Sequence, residues 1–179
     1  MTLAYPEPEL ATDRLRLRCW RPSDAPSLVR CCNDAEIRRW LPPIPVPYTA
    51  GDAEAFIAAT QSADGHIVRF AIEQPDVPLA GAIGARLVAP GVVQIRYWVA
   101  AEARRTGVAT GALTVLARWL SRLEGVARVQ VFTDTENVPS MRVAERAGFR
   151  HEAVLRNWYD LRGERRDAAM FAILPGDLA

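Results

Sequence analysis

The stretch Tyr97-Trp98-Val99-Ala100-Ala101-Glu102-Ala103-Arg104-Arg105-Thr106-Gly107-Val108-Ala109-Thr110 decides how this chain is read. An apolar strand ends, a short loop carries two adjacent arginines, and Gly107 opens an amphipathic helix. The first-turn N–H groups of such a helix have no partner within it, and the macrodipole adds partial positive charge. Gly107 removes a Cβ, so a phosphate can approach the backbone, and Arg104 and Arg105 add full charges beside it. The stretch reads as an anion site at a strand-to-helix turn.

Downstream, Leu113, Leu116, Leu120 and Leu123 form a helical stripe that ends near Gly125. Val126 to Thr133 reads as a strand with Val129 and Val131 on one face. This strand–helix–strand order predicts that 92–99 and 126–133 lie parallel, joined by a right-handed crossover. Asn137 caps the next helix, Pro139 fits its first turn, and Gly148-Phe149 closes it as a Schellman motif. The chain finishes as a hairpin, with strands at 152–161 and 165–174 and a turn at Arg162-Gly163-Glu164.

Upstream, Leu15-Arg16-Leu17-Arg18-Cys19-Trp20 alternates apolar and charged residues, the pattern of a half-buried strand. Pro22 breaks it, Ser23 or Asp24 caps a helix running to about Asn33, and Asp34 to Leu41 forms a second helical piece. Pro42-Pro43-Ile44-Pro45-Val46-Pro47-Tyr48 can be neither helix nor central strand. Thr49 precedes a helix patterned by Ala53, Phe56, Ile57 and Thr60. Val68, Phe70 and Ile72 then share one strand face, opposite Arg69, Ala71 and Glu73. Further strands follow at Leu79–Val88 and Val92–Val99, with turns at Pro75–Pro78 and Pro90-Gly91. Connections this short predict an antiparallel meander. The fold class is α+β with a mixed sheet, and 179 residues fit one domain, 1–179.

Half the residues are hydrophobic and the net charge is +1, a balance that gives no basic excess for nucleic acid. No apolar run approaches the ~20 residues needed to span a bilayer. Met1 to Leu10 carries prolines and glutamates rather than a signal, so a cytoplasmic location is expected, with no membrane partner. Cys19, Cys31 and Cys32 are odd in number and read as structural thiols. His66 and His151 are far apart, and no metal is expected. A dinucleotide site is disfavoured because no G-x-G-x-x-G follows a strand.

Against this background the residues resemble the GNAT acetyltransferases, in particular the RimJ/RimL-type branch of ribosomal-protein N-acetyltransferases. Arg104-Arg105-Thr106-Gly107-Val108-Ala109 is similar to that family's pyrophosphate loop, Q/R-x-x-G-x-G/A. Asn137-Val138-Pro139-Ser140, continued by Glu145-Arg146-Ala147-Gly148-Phe149, resembles its N-x-x-S…E-K-x-G-F helix. Tyr97-Trp98-Val99 resembles its splayed strand, Thr12 to Arg18 with Arg21 to Ala25 its opening strand and helix, and Gly163 to Asp167 its closing hairpin. The likeness covers nearly the whole chain in order.

The resemblance implies a GNAT fold with a central βαβ unit that binds acetyl-CoA, and acyl transfer to an amine. The pyrophosphate would lie on Arg104, Arg105, Thr106, Gly107, Val108, Ala109 and Thr110. The backbone of Trp98 and Val99 would meet the pantetheine and thioester, and Asn137 and Ser140 would face them from the next helix. Ser140 matches the position that protonates or hydrogen-bonds the leaving thiolate. Trp40, Pro43, Pro47 and Tyr48 fall where the family builds its acceptor pocket, although an aromatic–proline loop also packs against a sheet edge. The acceptor would be a protein N-terminus or a small-molecule amine. Exposed apolar residues near Pro42 to Pro47 would form either a pocket wall or an interface, including that of a homodimer.

One strand departs from the pattern. Where the family often has Glu-Ile-Gly-Tyr-Trp, this chain has Gln94-Ile95-Arg96-Tyr97-Trp98. Gln94 cannot take a proton, and both Gln94 and Arg96 alternate onto the face of Trp98. Glu73 is the replacement candidate for a base acting through water; its alternative is an ordinary ion pair. Arg96 would favour an acceptor with a carboxylate or phosphate beside its amine, unless it pairs with Glu102 or another local acid. A weak acyl-CoA-binding or sensor module is the competing reading that Gln94 keeps open. The arginines Arg162, Arg165 and Arg166 are expected to be solvated, with two such arginines bordering an acidic acceptor as the alternative.

Overall fold

The computed structural model describes residues 1–7, 9–41, 44–60 and 65–178; Pro42 and Pro43, assigned above to a pocket wall or loop, lie outside them. Eight strands form one sheet: β1 (Leu10–Ala11), β2 (Arg16–Arg18), β3 (Ile67–Gln74), β4 (Val77–Ala89), β5 (Val92–Val99), β6 (Arg128–Asp134), β7 (Arg150–Leu161) and β8 (Glu164–Ile173). Their order is β1-β2-β3-β4-β5-β6-β8-β7. The pairing is antiparallel throughout except for β5 with β6, the parallel pair expected from the crossover. Two-residue turns at Pro75-Asp76 and Pro90-Gly91 connect the meander β3–β4–β5.

Five helices cover the two faces. α1 (Ala25–Cys32), α2 (Ala35–Trp40) and α3 (Ala50–Thr60) precede the meander, and α4 (Val108–Leu120) and α5 (Val138–Arg146) follow it. The period-2 strand pattern sends Val68, Phe70, Ile72, Ile83, Ile95 and Val131 to the α4 face, where Leu113, Leu116 and Leu120 meet them. Ala71 and Ala82 face the other way, against Leu28 of α1 and Ala53 and Ile57 of α3. α2 starts where Asp34 accepts a hydrogen bond from the Ile37 N–H at 2.9 Å. α5 closes with Phe149 N–H on Ala144 and Gly148 N–H on Glu145, both at 3.0 Å, the Schellman pair.

β2 corrects a simple alternation. Arg16 is exposed, but Arg18 is 1 % exposed and sits with Asp24 and Glu73. Asp24 therefore does not cap α1 with its side chain; its carboxylate belongs to Arg18 and to the N–H of Arg21. Alternation reports which face a residue takes, not whether another layer covers that face.

Candidate active site

β5 and β6 begin as neighbours and then part. Val92 to Ile95 pair with Arg128 to Val131, after which no ladder joins them. β5 nevertheless continues along β4 as far as Val99, and β6 along β8 as far as Asp134. The backbone of Arg96–Val99 thus faces a wedge opposite Phe132–Asp134. Gly81 shapes one side of it: a Cβ there would lie 2.3 Å from the carbonyl oxygen of Trp98, so only glycine lets β4 approach so closely.

The wedge opens toward the start of α4. Gly107 is the N-cap with φ +85°, and Arg105 before it also lies in the left-handed region at φ +64°. A Cβ at Gly107 would meet nothing within 4 Å, so glycine answers the backbone conformation and leaves the space above the loop open. The N–H groups of Val108, Ala109 and Thr110 have no acceptor among the described residues, as expected at a helix start. Thr106 Oγ1 is engaged by the Ala103 carbonyl at 2.8 Å. The two loop arginines differ: Arg104 is ion-paired with Asp34 at 2.5 Å, while Arg105 is exposed. The full charge expected from Arg104 is therefore shared with a carboxylate.

On the far side of the wedge, Asn137 caps α5 by accepting from the Ser140 N–H at 3.2 Å. Ser140 Oγ lies 2.8 Å from the hydroxyl of Tyr97, and either oxygen can donate. Burial pushes the Tyr97 phenol up to about 12, with the Ser140 contact pulling the other way, so it stays protonated at neutral pH. Tyr97 was legible only as part of the strand. Its signal is the alternation that sends it opposite Trp98, toward α5.

On the α1–α3 face of the same strand lies a cavity of about 240 Å³. Trp20, Phe56 and Trp98 contribute its aromatic wall, and Arg69, Arg86, Gln94 and Arg96 also line it. Among the described residues no carboxylate does. Trp40 and Tyr48, expected in this pocket, are elsewhere. Trp40 donates from Nε1 to Glu36 at 2.8 Å under the Arg39 guanidinium, and Leu41 lines the cavity instead. Tyr48 is 8 % exposed in the core, with its hydroxyl donating to the Asp52 carbonyl at 3.2 Å. Burial raises its phenol to about 12. A larger but shallow hollow of about 610 Å³ follows residues 154–158 of edge strand β7 and contains neither the wedge nor the hydroxyl pair.

The family model for the GNAT acetyltransferase domain matches residues 14–150. The chain belongs to the GNAT acetyltransferases. Among curated relatives it is 27 % identical to YoaA, an uncharacterised N-acetyltransferase of Bacillus subtilis, over 93 % of this chain and 97 % of that one. Among solved structures it superposes on a Vibrio cholerae protein assigned as a ribosomal-protein-serine acetyltransferase, with TM-score 0.81, 25 % identity and coverage of 96 % and 100 %. RimJ of Mycobacterium smegmatis, solved with CoA-disulfide, gives TM-score 0.82 at 24 % identity, covering 92 % and 83 %. The microcin C7 self-immunity acetyltransferase MccE, solved with acetyl-CoA and AMP, gives 0.83 at 19 %, covering 91 % and 93 %.

Within this GNAT fold the remaining candidates take definite places. Glu73 meets the buried Arg18 through Oε2, with Arg21 at 3.5 Å, and does not line the cavity. Glu102 pairs with Arg30 at 2.9 Å, so it does not neutralise Arg96. The closing hairpin is less solvated than expected. Arg166 is held by Asp134, Glu136 and Glu164, and Arg162 donates to the Arg38 carbonyl, tying the hairpin tip to α2. Cys31 and Cys32 are buried, which pushes their thiols up to about 11 and 12; Cys19 is exposed. Among the described residues, no group of three or more His, Cys, Asp or Glu side chains could hold a metal, and no helix is long and apolar enough to cross a membrane.

Proposed function

We propose that this GNAT protein transfers an acetyl group from acetyl-CoA to a primary amine by direct attack. The observation that carries this reading is the wedge itself, which lies between a helix start with free N–H groups and a paired serine and tyrosine hydroxyl. The pyrophosphate is received by the backbone of Arg104–Thr110, with Arg105 supplying the charge that Arg104 shares with Asp34. The pantetheine arm pairs with the Trp98–Val99 backbone, and an N–H there stabilises the developing oxyanion.

The neutral amine attacks the thioester carbonyl carbon from the cavity side. The C–S bond then breaks, Ser140 Oγ–H gives its proton to the leaving sulfur and regains one from solvent, and Tyr97 hydrogen-bonds Ser140 as it does so. The proton lost by the amine nitrogen passes to water, because Gln94 cannot accept it and Glu73 is committed to Arg18. We therefore assign Glu73 an ion-pair role. Asn137 positions Ser140 by capping its helix.

The test is release of CoA thiol from acetyl-CoA across amines and N-terminal peptides, with an enzyme-only control for the native cysteines. Turnover with at least one amine is expected, and it should fall in Ser140→Ala. Acetyl-CoA binding without turnover of any amine would favour the second reading, an acyl-CoA sensor, which draws support from the lack of a carboxylate among the described residues of the cavity lining. Gln94→Glu is then the variant to make.

A further inference from the structure

Three arginines face one cavity, and among the described residues no acid answers them. Arg69, Arg86 and Arg96 come from β3, β4 and β5, three adjacent strands. Gly84 pairs with Arg69 on one side and Arg96 on the other, so both arginines take the same face. Arg86, two residues along β4 and opposite Gln94, shares that face. Adjacent strands are ~4.8 Å apart, which puts the Arg69 and Arg96 backbones roughly 10 Å from one another, a span two guanidinium groups can close on one anion. Gly84 leaves the space between them clear. A Cβ there would lie 2.8 Å from the Val68 carbonyl oxygen, so β4 has no room for a side chain at that point.

Some arginines elsewhere meet a carboxylate, among them Arg18, Arg21, Arg30, Arg104, Arg128 and Arg166. Among the described residues Arg69, Arg86 and Arg96 meet none. Like charges on neighbouring strands oppose the sheet, so folding does not account for the cluster. β7 adds no anion at this point: Tyr159 feels Arg96, but burial pushes its phenol up to about 12 and keeps it neutral.

We infer that the acceptor carries an acidic group beside its amine, a phosphate or carboxylate, and that this group docks on Arg69, Arg86 and Arg96. The inference rests on the acetyl-transfer reading above and names the substrate class for that site. A cavity of about 240 Å³ suits a compact head of this kind, with the amine held near Gln94 and Trp98 and the anion on the guanidinium groups.

Matched pairs of amines test it: O-phosphoethanolamine against ethanolamine, and the peptide Ser-Glu-Glu against Ser-Gln-Gln. Each is titrated into the protein with CoA present and followed by tryptophan fluorescence, since Trp20 and Trp98 line the cavity. Each is then assayed for turnover with acetyl-CoA. The acidic member of one pair should bind about tenfold more tightly, as a charge-assisted hydrogen bond predicts, and the preference should vanish in Arg69→Gln/Arg96→Gln. A response in the phosphate pair identifies a small phosphorylated amine; a response in the peptide pair identifies an acidic N-terminus.

Equal binding within both pairs, or a preference that survives the double substitution, overturns the inference. Turnover of neutral amines without acidic preference does the same and leaves acetyl transfer standing. Tighter acidic binding without any turnover supports the arginine site and counts against the transferase reading. If the double variant does not fold, salt decides: the wild-type preference must weaken at high ionic strength, and one that stays constant overturns the inference.

Discussion

Two sets of arginines in this molecule are treated in opposite ways. Arg18 is buried, and every part of its guanidinium is answered. Nε meets Glu73, Nη1 and Nη2 meet the two Asp24 oxygens at 2.8 Å each, and the carbonyls of Cys19 and Pro78 accept at 3.1 and 2.9 Å. Arg69, Arg86 and Arg96 line a cavity and meet no carboxylate among the described residues. A charge taken out of water for structural reasons must bring its partners with it. A charge held over a concave surface without partners is available to a ligand. The difference separates a fastening from a binding surface, although composition counts all four residues alike.

The largest effect should come from the fastening. Arg18→Met strands Asp24 in the core, and breaking a buried pair from one side typically removes about 3–5 kcal/mol of stability. Urea unfolding measures this, and a loss of under about 1 kcal/mol, the range of an exposed pair, would erase the distinction drawn above. Acid gives the same contrast without mutation. Burial alone raises the Asp24 carboxyl, but the Arg18 hydrogen bonds and the Arg21 N–H together hold it below the ordinary range. Its stabilisation is present above the unfolded value, about 3.9, and is lost as pH falls through the depressed folded value. Asp24→Asn should flatten that acid limb.

The hydroxyl pair comes next. Ser140→Ala should lower kcat by about a hundredfold while leaving KM for acetyl-CoA nearly unchanged, the lower end of the range for acid catalysis. Tyr97→Phe should do the same to a smaller extent. An unchanged kcat for Ser140→Ala, with chemistry shown to be rate-limiting, would remove serine from the reaction. Gly107→Ala puts a Cβ where φ is +85°, which costs about 1–2 kcal/mol of backbone strain in the thermal melt. Because that Cβ meets no protein atom, its second effect should be a raised KM for acetyl-CoA.

The smallest effect tests the fastening from its outer end. Glu73→Gln keeps a hydrogen-bond acceptor for Arg18, so the expected loss is below about 1 kcal/mol. The pH–rate profile should keep its shape; disappearance of its acid limb would restore Glu73 as the base.

The βαβ unit was readable because its cues are local. The Leu113–Leu116–Leu120 stripe, the Asn137 cap and the Gly148-Phe149 closure each depend on neighbours within one or two turns. The acceptor side was less readable because it is assembled from distant residues. Leu41 lines the cavity while Trp40 beside it turns to Glu36, a choice that one residue of helix rotation decides. Arg18 looked solvent-facing because the acids that bury it lie 6 and 55 residues away. Arg96 stood out at once, but its company with Arg69 and Arg86 depends on the register of two antiparallel ladders.

The parting of β5 and β6 has a thermodynamic corollary. A sheet split from within leaves backbone groups of Arg96–Val99 unclaimed along one side, so the wedge is an interior edge awaiting a strand-like occupant. An arm that pairs with that edge binds the native chain and has no counterpart in the unfolded one. Saturation at a hundred times Kd then adds about 2.7 kcal/mol to the unfolding free energy. The melting temperature of this protein becomes a concentration gauge, and scanning candidate acyl donors by their thermal shift would rank them before any acceptor is known.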